Sequence, residues 1–264
     1  MKKLTLITAI IFIGLQSYSQ WHPQTIDTEL DLTNVFFLDE NLGWIRGHYY
    51  DTLFNSIIFR TTNGGETWDS ISSFQDLYIY EMLFTDSLTG WITSYSGLYK
   101  TEDGGVTLDL VFPGSYQSEF FNEGEGVLLD GDSPFPFYNT DDGGDSWTFI
   151  DTLIGDFISG MKHMDFINKD IGYVLKNWTQ LNWNFKVLVK TSDGGYTWEY
   201  KDCPSNGTYH LFFVDELNGY ATEYYANYGN IQKGLYKTTD GADSWTKVYF
   251  DYVGAIFFST PEIG

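Results

Sequence analysis

The chain has 264 residues, of which 36 are acidic and 14 are basic, so its formal net charge at pH 7 is −22. This balance predicts no nucleic-acid partner and makes anionic lipid a poor partner, because both bind basic surfaces. Cys203 is the sole cysteine, so no disulfide within the chain can brace the fold, and stability must come from packing of the aromatic residues that make up 19% of the chain.

The first 19 residues predict a cleaved secretory signal peptide. Lys2 and Lys3 precede an apolar run from Leu4 to Leu15, and the small residues Ser17 and Ser19 follow it. The apolar run is too short for a membrane span, so no membrane insertion is expected. We place cleavage after Ser19 and expect a protein that is secreted or retained in the periplasm or cell envelope of a bacterium.

An eight-residue stretch, here called the hairpin octet, recurs five times after the signal. Its copies are "TTNGGETW" (61–68), "TEDGGVTL" (101–108), "TDDGGDSW" (140–147), "TSDGGYTW" (191–198) and "TTDGADSW" (238–245). A second motif alternates with it, as in "FFLDENLGW" (36–44) and "FFVDELNGY" (212–220). The interval between octets, 39 to 51 residues, is that of a four-stranded repeat unit.

The segments between these motifs alternate apolar and polar residues over strand lengths and show no helical period. We therefore predict an all-β fold, a β-propeller of four-stranded antiparallel blades, within residues 20–264. The predicted elements in chain order are a closing outer strand (21–31), blades at about 32–74, 78–113, 116–153, 160–203 and 208–252, and the first strand of a sixth blade (254–264). The sixth blade is only begun, which indicates an incomplete chain.

Each octet has the composition of a tight hairpin turn. Paired glycines permit positive φ, the hydroxyl residue and the acid accept hydrogen bonds from turn amides, and the tryptophan packs between blades. The pattern resembles the Asp-box, or BNR repeat, of the propeller superfamily that includes sialidases and photosystem II assembly and stability factors. The resemblance implies that the octets are structural and lie away from any active centre. The octet residues assigned this role are Thr61, Asn63, Gly65, Trp68, Thr101, Asp103, Gly105, Thr140, Asp142, Gly144, Trp147, Thr191, Asp193, Gly195, Trp198, Thr238, Asp240 and Trp245.

Length variation between repeats points to a binding surface on the opposite rim. The extra residues of repeats 1, 4 and 5 fall between the second and third strands, where loops of a rigid scaffold commonly bind ligands. These segments are rich in aromatic residues beside amides and acids, which suits sugar rings or polypeptide. The candidate ligand-binding residues are His48, Tyr49, Tyr50, Trp178, Trp183, Tyr224, Tyr225 and Tyr228; the alternative is that these rings only cover their blades.

A ring of polar residues is predicted at the mouth of the central channel. It lies three residues before the second aromatic of each motif and consists of Asn34, Glu81, Ser118, His163 and His210. Glu81, His163 and His210 are competent metal ligands, but polar groups at a wet channel mouth require none, and no histidine spacing indicates a metal. We predict no metal and no cofactor.

The function expected from these features is that of a non-catalytic scaffold binding protein or glycan. A sialidase is excluded, because such enzymes grip a carboxylate with three arginines and this chain has only Arg46 and Arg60. The alternative is a glycoside hydrolase of the Asp-box propeller type, for which the chain has many acids but no signature of a catalytic pair.

Overall fold

The computed structural model describes residue 26 and residues 28–49, 55–114, 117–130, 135–152, 158–180, 183–227 and 230–253. The predicted signal peptide, most of the closing strand and the begun sixth blade lie outside these ranges. The described residues contain no helix, and so none long and apolar enough to cross a membrane.

Within these described ranges, twenty strands form five four-stranded antiparallel sheets, and the strands of each sheet lie side by side in chain order. This confirms the predicted all-β propeller with five blades. Blade 1 comprises β1 (Asp31–Phe37), β2 (Gly43–His48), β3 (Ser56–Thr61) and β4 (Asp69–Phe74). Blade 2 comprises β5 (Ile79–Phe84), β6 (Gly90–Ser94), β7 (Gly97–Thr101) and β8 (Asp109–Pro113). Blade 3 comprises β9 (Gln117–Phe120), β10 (Gly126–Leu129), β11 (Pro136–Thr140) and β12 (Thr148–Thr152). Blade 4 comprises β13 (Ile158–Phe166), β14 (Gly172–Gln180), β15 (Trp183–Thr191) and β16 (Glu199–Lys201), and blade 5 comprises β17 (Thr208–Phe213), β18 (Gly219–Asn227), β19 (Asn230–Thr238) and β20 (Thr246–Tyr249).

The first strand of each blade is its inner strand. It ends in a phenylalanine that pairs with the glycine opening the second strand, as Phe84 pairs with Gly90. A Cβ on Gly90 would lie 2.4 Å from the Phe84 ring, so the ring lies directly over the glycine. Phe37, Phe120, Phe166 and Phe213 cover their glycines in the same way. Glycine is therefore required there by close approach.

The core lies between blades rather than within them. Trp44 of blade 1 stacks on Phe84 of blade 2 with ring centroids 3.7 Å apart, and Tyr173 of blade 4 stacks on Phe213 of blade 5 at 3.5 Å. All four of these side chains are buried. Because each blade covers the next, apolar burial joins neighbouring repeats.

All five hairpin octets adopt one hydrogen-bonded turn. In the fourth octet, Thr191 Oγ1 donates to Asp193 Oδ1 at 2.9 Å and accepts from Gly195 N at 2.8 Å, while Thr197 N donates to Asp193 Oδ1 at 2.9 Å. The amide oxygen of Asn63 performs the same role in the first octet. Ala242 replaces a glycine in the last octet and still adopts φ of +72°.

The octets share one rim of the ring with the turns between first and second strands. In every blade the fourth residue of the octet donates its amide to a carbonyl of that turn, as Gly104 N does to Leu88 O at 2.8 Å. We call this side the octet rim. The other side, here the loop rim, carries the connections between second and third strands and those between blades.

Candidate functional site

Exposed aromatic rings concentrate on the loop rim. Tyr49, a predicted ligand-binding residue, follows β2 and is 49% exposed, and the predicted Tyr224 and Tyr225 are also exposed at the end of β18. Among the described residues, fewer exposed aromatic residues lie at or beside the octet rim: Tyr196 within an octet, and Phe37, Phe149 and Tyr200 near strand ends that adjoin it. The loop rim therefore offers more aromatic rings to a ligand than the octet rim does.

The inserted residues of blades 4 and 5 prolong strands rather than forming loops. The β14–β15 hairpin pairs through Gln180 with Trp183, and the β18–β19 hairpin pairs through Asn227 with Asn230. Predicted residues Trp178 and Trp183 are thus in paired strands near the tip of the first hairpin. Tyr50 and Tyr228 lie outside the described residues.

His48 occupies a different setting from the other predicted rings. It is half-buried at the end of β2, with its ring edge-on to Tyr78 at 5.8 Å. Tyr78 in turn covers Arg46, whose guanidinium carbon lies 4.0 Å from the centre of the tyrosine ring. Arg46 is only 2% exposed. His48 and Arg46 therefore support the surface above them rather than forming it.

Aromatic residues that the sequence reasoning did not single out extend this surface. Tyr80 and Tyr95 are exposed on blade 2, and Phe250 and Tyr252 follow β20 in blade 5. Tyr209, Tyr224 and Tyr252 line a groove of about 590 Å³, in which the last two rings meet edge to face at 5.5 Å. The sequence signal for these residues was the aromatic run "YFDYV" (249–253), which begins at the last residue of β20 and continues beyond that strand.

The central channel carries the second set of predicted residues. Each inner strand ends in a phenylalanine, and the residues three positions before it lie at one level of the channel. These residues are Asn34, Glu81, Gln117, His163 and His210. The register puts Gln117, not the predicted Ser118, at this level, because Phe120 rather than Phe121 pairs with Gly126. Ser118 is buried on the other face of β9, 3.2 Å from Thr93 Oγ1.

Two side chains of this level bridge neighbouring inner strands. Asn34 Oδ1 accepts from Met82 N at 3.0 Å, and Gln117 bonds both the amide and the carbonyl of Met164 at 2.7 and 2.8 Å. The rings of His163 and His210 contact each other, with centroids 4.1 Å apart. Edge amides of these inner strands thus find acceptors on the preceding blade, which protects edges that would otherwise be unpaired.

Two carboxyl groups that the sequence reasoning missed lie one level nearer the octet rim. Glu119 Oε2 accepts from Phe166 N at 2.6 Å, and Asp165 Oδ2 accepts from Phe213 N. Burial raises the pKa of both, and the Asp165 charge adds to the rise at Glu119; Asp165 reaches a pKa of about 7. An acid directly before the inner phenylalanine, as in "EF" and "DF", was the available signal.

The channel walls also shift the pKa values of Glu81 and His163. Glu81 is open to solvent on one side, yet desolvation by the surrounding protein raises its pKa. Burial, and then the neighbouring His210, lower the pKa of His163 to about 3. Within the described ranges, no group of three His, Cys, Asp or Glu side chains has the geometry of a metal site. The channel is therefore a polar site in which burial disfavours the charged forms of Glu81, Glu119, Asp165 and His163.

A further groove of about 620 Å³ opens on the octet rim between blades 2 and 3. It is lined by the ends of β5 and β9, including Phe84, Thr85 and Phe121. Thr85 Oγ1 is buried there without a hydrogen-bond partner. Apolar residues take the place of Thr85 in the other four blades.

Comparison with known proteins identifies the fold alone. No protein-family model and no curated sequence matches the chain. Among solved structures it is similar to YCF48 bound to D1 peptide, with a TM-score of 0.57 and 15% identity over 92% of each chain. It is similar to the GH74 xyloglucanase from Xanthomonas campestris, with a TM-score of 0.60 and 15% identity over 79% of this chain and 36% of that one. It is also similar to an α-L-arabinofuranosidase from Fusarium graminearum, with a TM-score of 0.54 and 12% identity over 84% and 82%. The chain thus shares the propeller fold with a peptide-bound protein and with glycoside hydrolases, and spans about a third of the xyloglucanase.

Proposed function

We propose that this protein is an exported, non-catalytic propeller that binds protein or glycan through its loop rim. The observation that carries the proposal is the concentration of exposed tyrosines on that rim, from Tyr49 and Tyr95 to Tyr224 and Tyr252. Tyrosine offers a large apolar face and a hydroxyl with little loss of conformational entropy, which suits stacking on a sugar or gripping a peptide. Among the described residues, the octet rim itself carries one exposed tyrosine, Tyr196, and fewer exposed aromatic residues adjoin it.

Within this proposal the hairpin octets have a structural role, and ligand binding is assigned to the loop rim. We assign them as Asp-boxes, on the five matching sequences and on the single turn geometry that they share. Their acids are occupied by their own turn amides, so they are structural. Export follows from the predicted signal peptide of residues 1–19 and would place the loop rim outside the cytoplasm.

The similar structures are compatible with two classes of ligand, peptides and carbohydrates. One similar structure holds a peptide, and others are enzymes of carbohydrates. The strongly acidic composition of the chain disfavours anionic ligands of either class.

The proposal is tested with a glycan array and a capture screen against extracellular proteins, using the chain without its signal peptide. Tyr224→Ala and Tyr252→Ala are expected to weaken binding at least about tenfold, since aromatic anchors commonly dominate such interfaces. Tyr196→Ala is the matched control, because Tyr196 is as exposed but lies on the octet rim. Binding that depends on Tyr196 and not on the other two would contradict the assignment of the rim.

One observation favours a second candidate function, a glycoside hydrolase. Glu119 and Asp165 are neighbouring carboxyls with raised pKa values in the channel, and one protonated acid beside one carboxylate is what glycoside cleavage requires. Against it, each carboxylate already accepts a backbone amide from the next blade. A hydrolysis screen decides: turnover lost in Glu119→Gln or Asp165→Asn, with the folded state retained, would replace the scaffold proposal.

A further inference from the structure

The inner strands of successive blades meet along seams, and side chains cross these seams unevenly. In three seams, a side chain of the earlier blade accepts a backbone amide of the later blade: Asn34 from blade 1 to blade 2, Gln117 and Glu119 from blade 3 to blade 4, and Asp165 from blade 4 to blade 5. Among the described residues, no side chain of β5 makes such a bond to β9. The seam between blades 2 and 3 is therefore the one without a bridge in the described part of the ring.

The missing bridge has a cause in the sequence. The residue directly before the inner phenylalanine is an acid in blades 3 and 4, but in blade 2 it is Leu83, which has no acceptor. Phe121 N donates to the turn of its own blade, so the amide of Phe120, one residue earlier, points away from β10. The equivalent amides of blades 4 and 5 accept a carboxyl partner from the preceding blade. No described side chain of blade 2 fills that role for Phe120.

The groove of about 620 Å³ on the octet rim lies at this same seam. Its lining includes Leu83 and Phe121 as apolar walls, together with Thr85 and Phe120. Thr85 Oγ1 is buried and has no hydrogen-bond partner. A buried polar group that lacks a partner carries a cost in free energy, which a ligand with the matching group removes. The groove thus offers a backbone donor from Phe120 and a hydroxyl from Thr85.

The charges around the groove select a neutral ligand. Glu123 lines the groove, and the side chain of Asp86 lies close to that of Glu123. These carboxylates disfavour a second anion beside them. The amide oxygen of Asn122 already accepts from Gly124 N and Glu125 N of its own turn, so it is occupied. A neutral group that carries both an acceptor and donors fits what remains, and a primary carboxamide is such a group.

The next seam shows how a carboxamide fits beside an inner strand of this ring. Between blades 3 and 4, Gln117 Oε1 accepts from Met164 N at 2.7 Å, and Gln117 Nε2 donates to Met164 O at 2.8 Å. One carboxamide therefore bonds a donor and an acceptor of the facing strand at once. The seam between blades 2 and 3 has the free amide and the space, but no such side chain of its own.

We infer that the groove between blades 2 and 3 binds the side chain of a glutamine or asparagine presented by a polypeptide. The side-chain carbonyl accepts from Phe120 N, its NH₂ group donates to Thr85 Oγ1, and its methylene groups pack on Leu83 and Phe121. A sugar with an acetamido group carries the same amide, but its ring hydroxyls would meet apolar walls that cannot bond them. This site lies on the octet rim and is independent of the ligand proposed for the loop rim.

The NMR resonance of the Phe120 amide tests the inference in the isotope-labelled protein. Titration with the peptide acetyl-Gly-Gln-Gly-amide is expected to move this resonance to saturation. The matched peptides with leucine or glutamate in place of glutamine should bind at least about fivefold more weakly, because leucine has no hydrogen-bonding group and glutamate adds a charge. A resonance that does not move, or equal binding of the leucine peptide, would overturn the inference. Tighter binding of triacetylchitotriose than of the glutamine peptide would overturn it in favour of a glycan.

Variants of the groove itself provide a second measurement. Leu83→Gln places a carboxamide of the chain in the groove and should abolish the effect of the peptide on Phe120, whereas Leu83→Met, of similar volume, should preserve it. Thr85→Val copies Val214, which stands at the equivalent position of blade 5, so it should fold normally and weaken binding about fivefold. Undiminished binding in Leu83→Gln or in Thr85→Val would overturn the inference. Ligand binding at the loop rim should be unchanged in all three variants, so the two proposals can fail separately.

Discussion

The two rims of the ring differ in how strictly the repeat governs them. On the octet rim, five turns share the same threonine, acid or amide, and positive-φ positions, and each is bonded to its neighbouring turn. On the loop rim the blades differ in length. Strands β6 and β7 are joined by two residues, Tyr95 and Ser96, whereas β18 continues five residues beyond Thr222 to Asn227, which pairs with Asn230 of β19. The comparison teaches that the repeated hydrogen bonds lie on one rim, whereas the other rim varies from blade to blade, as loops on a rigid scaffold commonly do.

The largest effect is expected from a methyl group added to the octet rim. Gly195 has φ of +93°, and a Cβ there would lie 2.4 Å from the Phe137 ring. Gly195→Ala should lower the free energy of unfolding by about 2–5 kcal/mol, from left-handed strain and overpacking. Urea denaturation measures it. The control is Gly114→Ala on the loop rim, with φ of +79° but its nearest neighbour at 3.5 Å, for which only the strain of about 1–2 kcal/mol is expected. Equal losses would break the contrast between rims.

Removal of one octet hydroxyl is expected to have the next largest effect. Thr191 is 1% exposed, and its Oγ1 accepts from Gly195 N while donating to Asp193. Thr191→Val leaves that amide without an acceptor and should cost about 1–3 kcal/mol in a thermal or urea melt. Thr148→Val, at an exposed position that begins β12, should be nearly neutral. A neutral Thr191→Val would show that the turn is held by its glycines alone.

The octet acids make the same rim sensitive to acid. Hydrogen bonds from Ser146 and Thr140 lower the pKa of Asp142 to about 2, below its unfolded value of 3.8. Its stabilising contribution is therefore complete above about pH 4 and is lost as the pH falls toward about 2. In Asp142→Asn, the urea concentration at the midpoint of unfolding should fall less steeply between about pH 4 and about pH 2 than it does in the unsubstituted protein.

The first octet provides the reciprocal control. Asn63 already occupies the position of the acid, so Asn63→Asp should steepen the same acid-induced loss. An unchanged acid profile in both variants would locate the acid sensitivity outside the octets.

The smallest effect on stability is expected on the loop rim. Tyr95 is 81% exposed, so Tyr95→Ala should change the free energy of unfolding by less than about 0.5 kcal/mol. A loss of ligand binding without a change in melting temperature would sharpen the contrast between the rims. A loss of stability like that of Thr191→Val would contradict it.

The fold was predictable from sequence because its determinants are local and repeated. The octets and the glycine-aromatic pairs each specify a hairpin through residues a few positions apart. The inner-strand register was predictable in the same way, since Phe and Gly stand six residues apart in all five repeats, from Phe37 and Gly43 to Phe213 and Gly219. In blade 3 the aromatic pair is Phe120 and Phe121, and the strand ends at the first of them. A count of three residues back from Phe121 therefore gives Ser118, whereas the count from Phe120 gives Gln117.

The channel and the loop rim were less predictable because they depend on contacts between repeats. Glu119 and Asp165 acquire their partners only when a neighbouring inner strand is placed beside them. The inserted segments of blades 4 and 5 were interpreted as loops, yet their residues pair as strands. The sequence of one strand shows which of its residues alternate between apolar and polar, but it does not show which neighbouring strand will pair with it.

The side chains that bridge inner strands give the ring a direction. In each bridge between described blades, a side chain of the earlier blade accepts from a backbone amide of the later blade, as Asp165 does from Phe213, and Gln117 in addition donates to the carbonyl of Met164. Removal of a blade therefore leaves unpaired backbone amides on its successor but only unused side-chain groups on its predecessor. Since a bare carboxylate is readily hydrated at an exposed surface, trimming from the C-terminal side should be tolerated better than trimming from the N-terminal side.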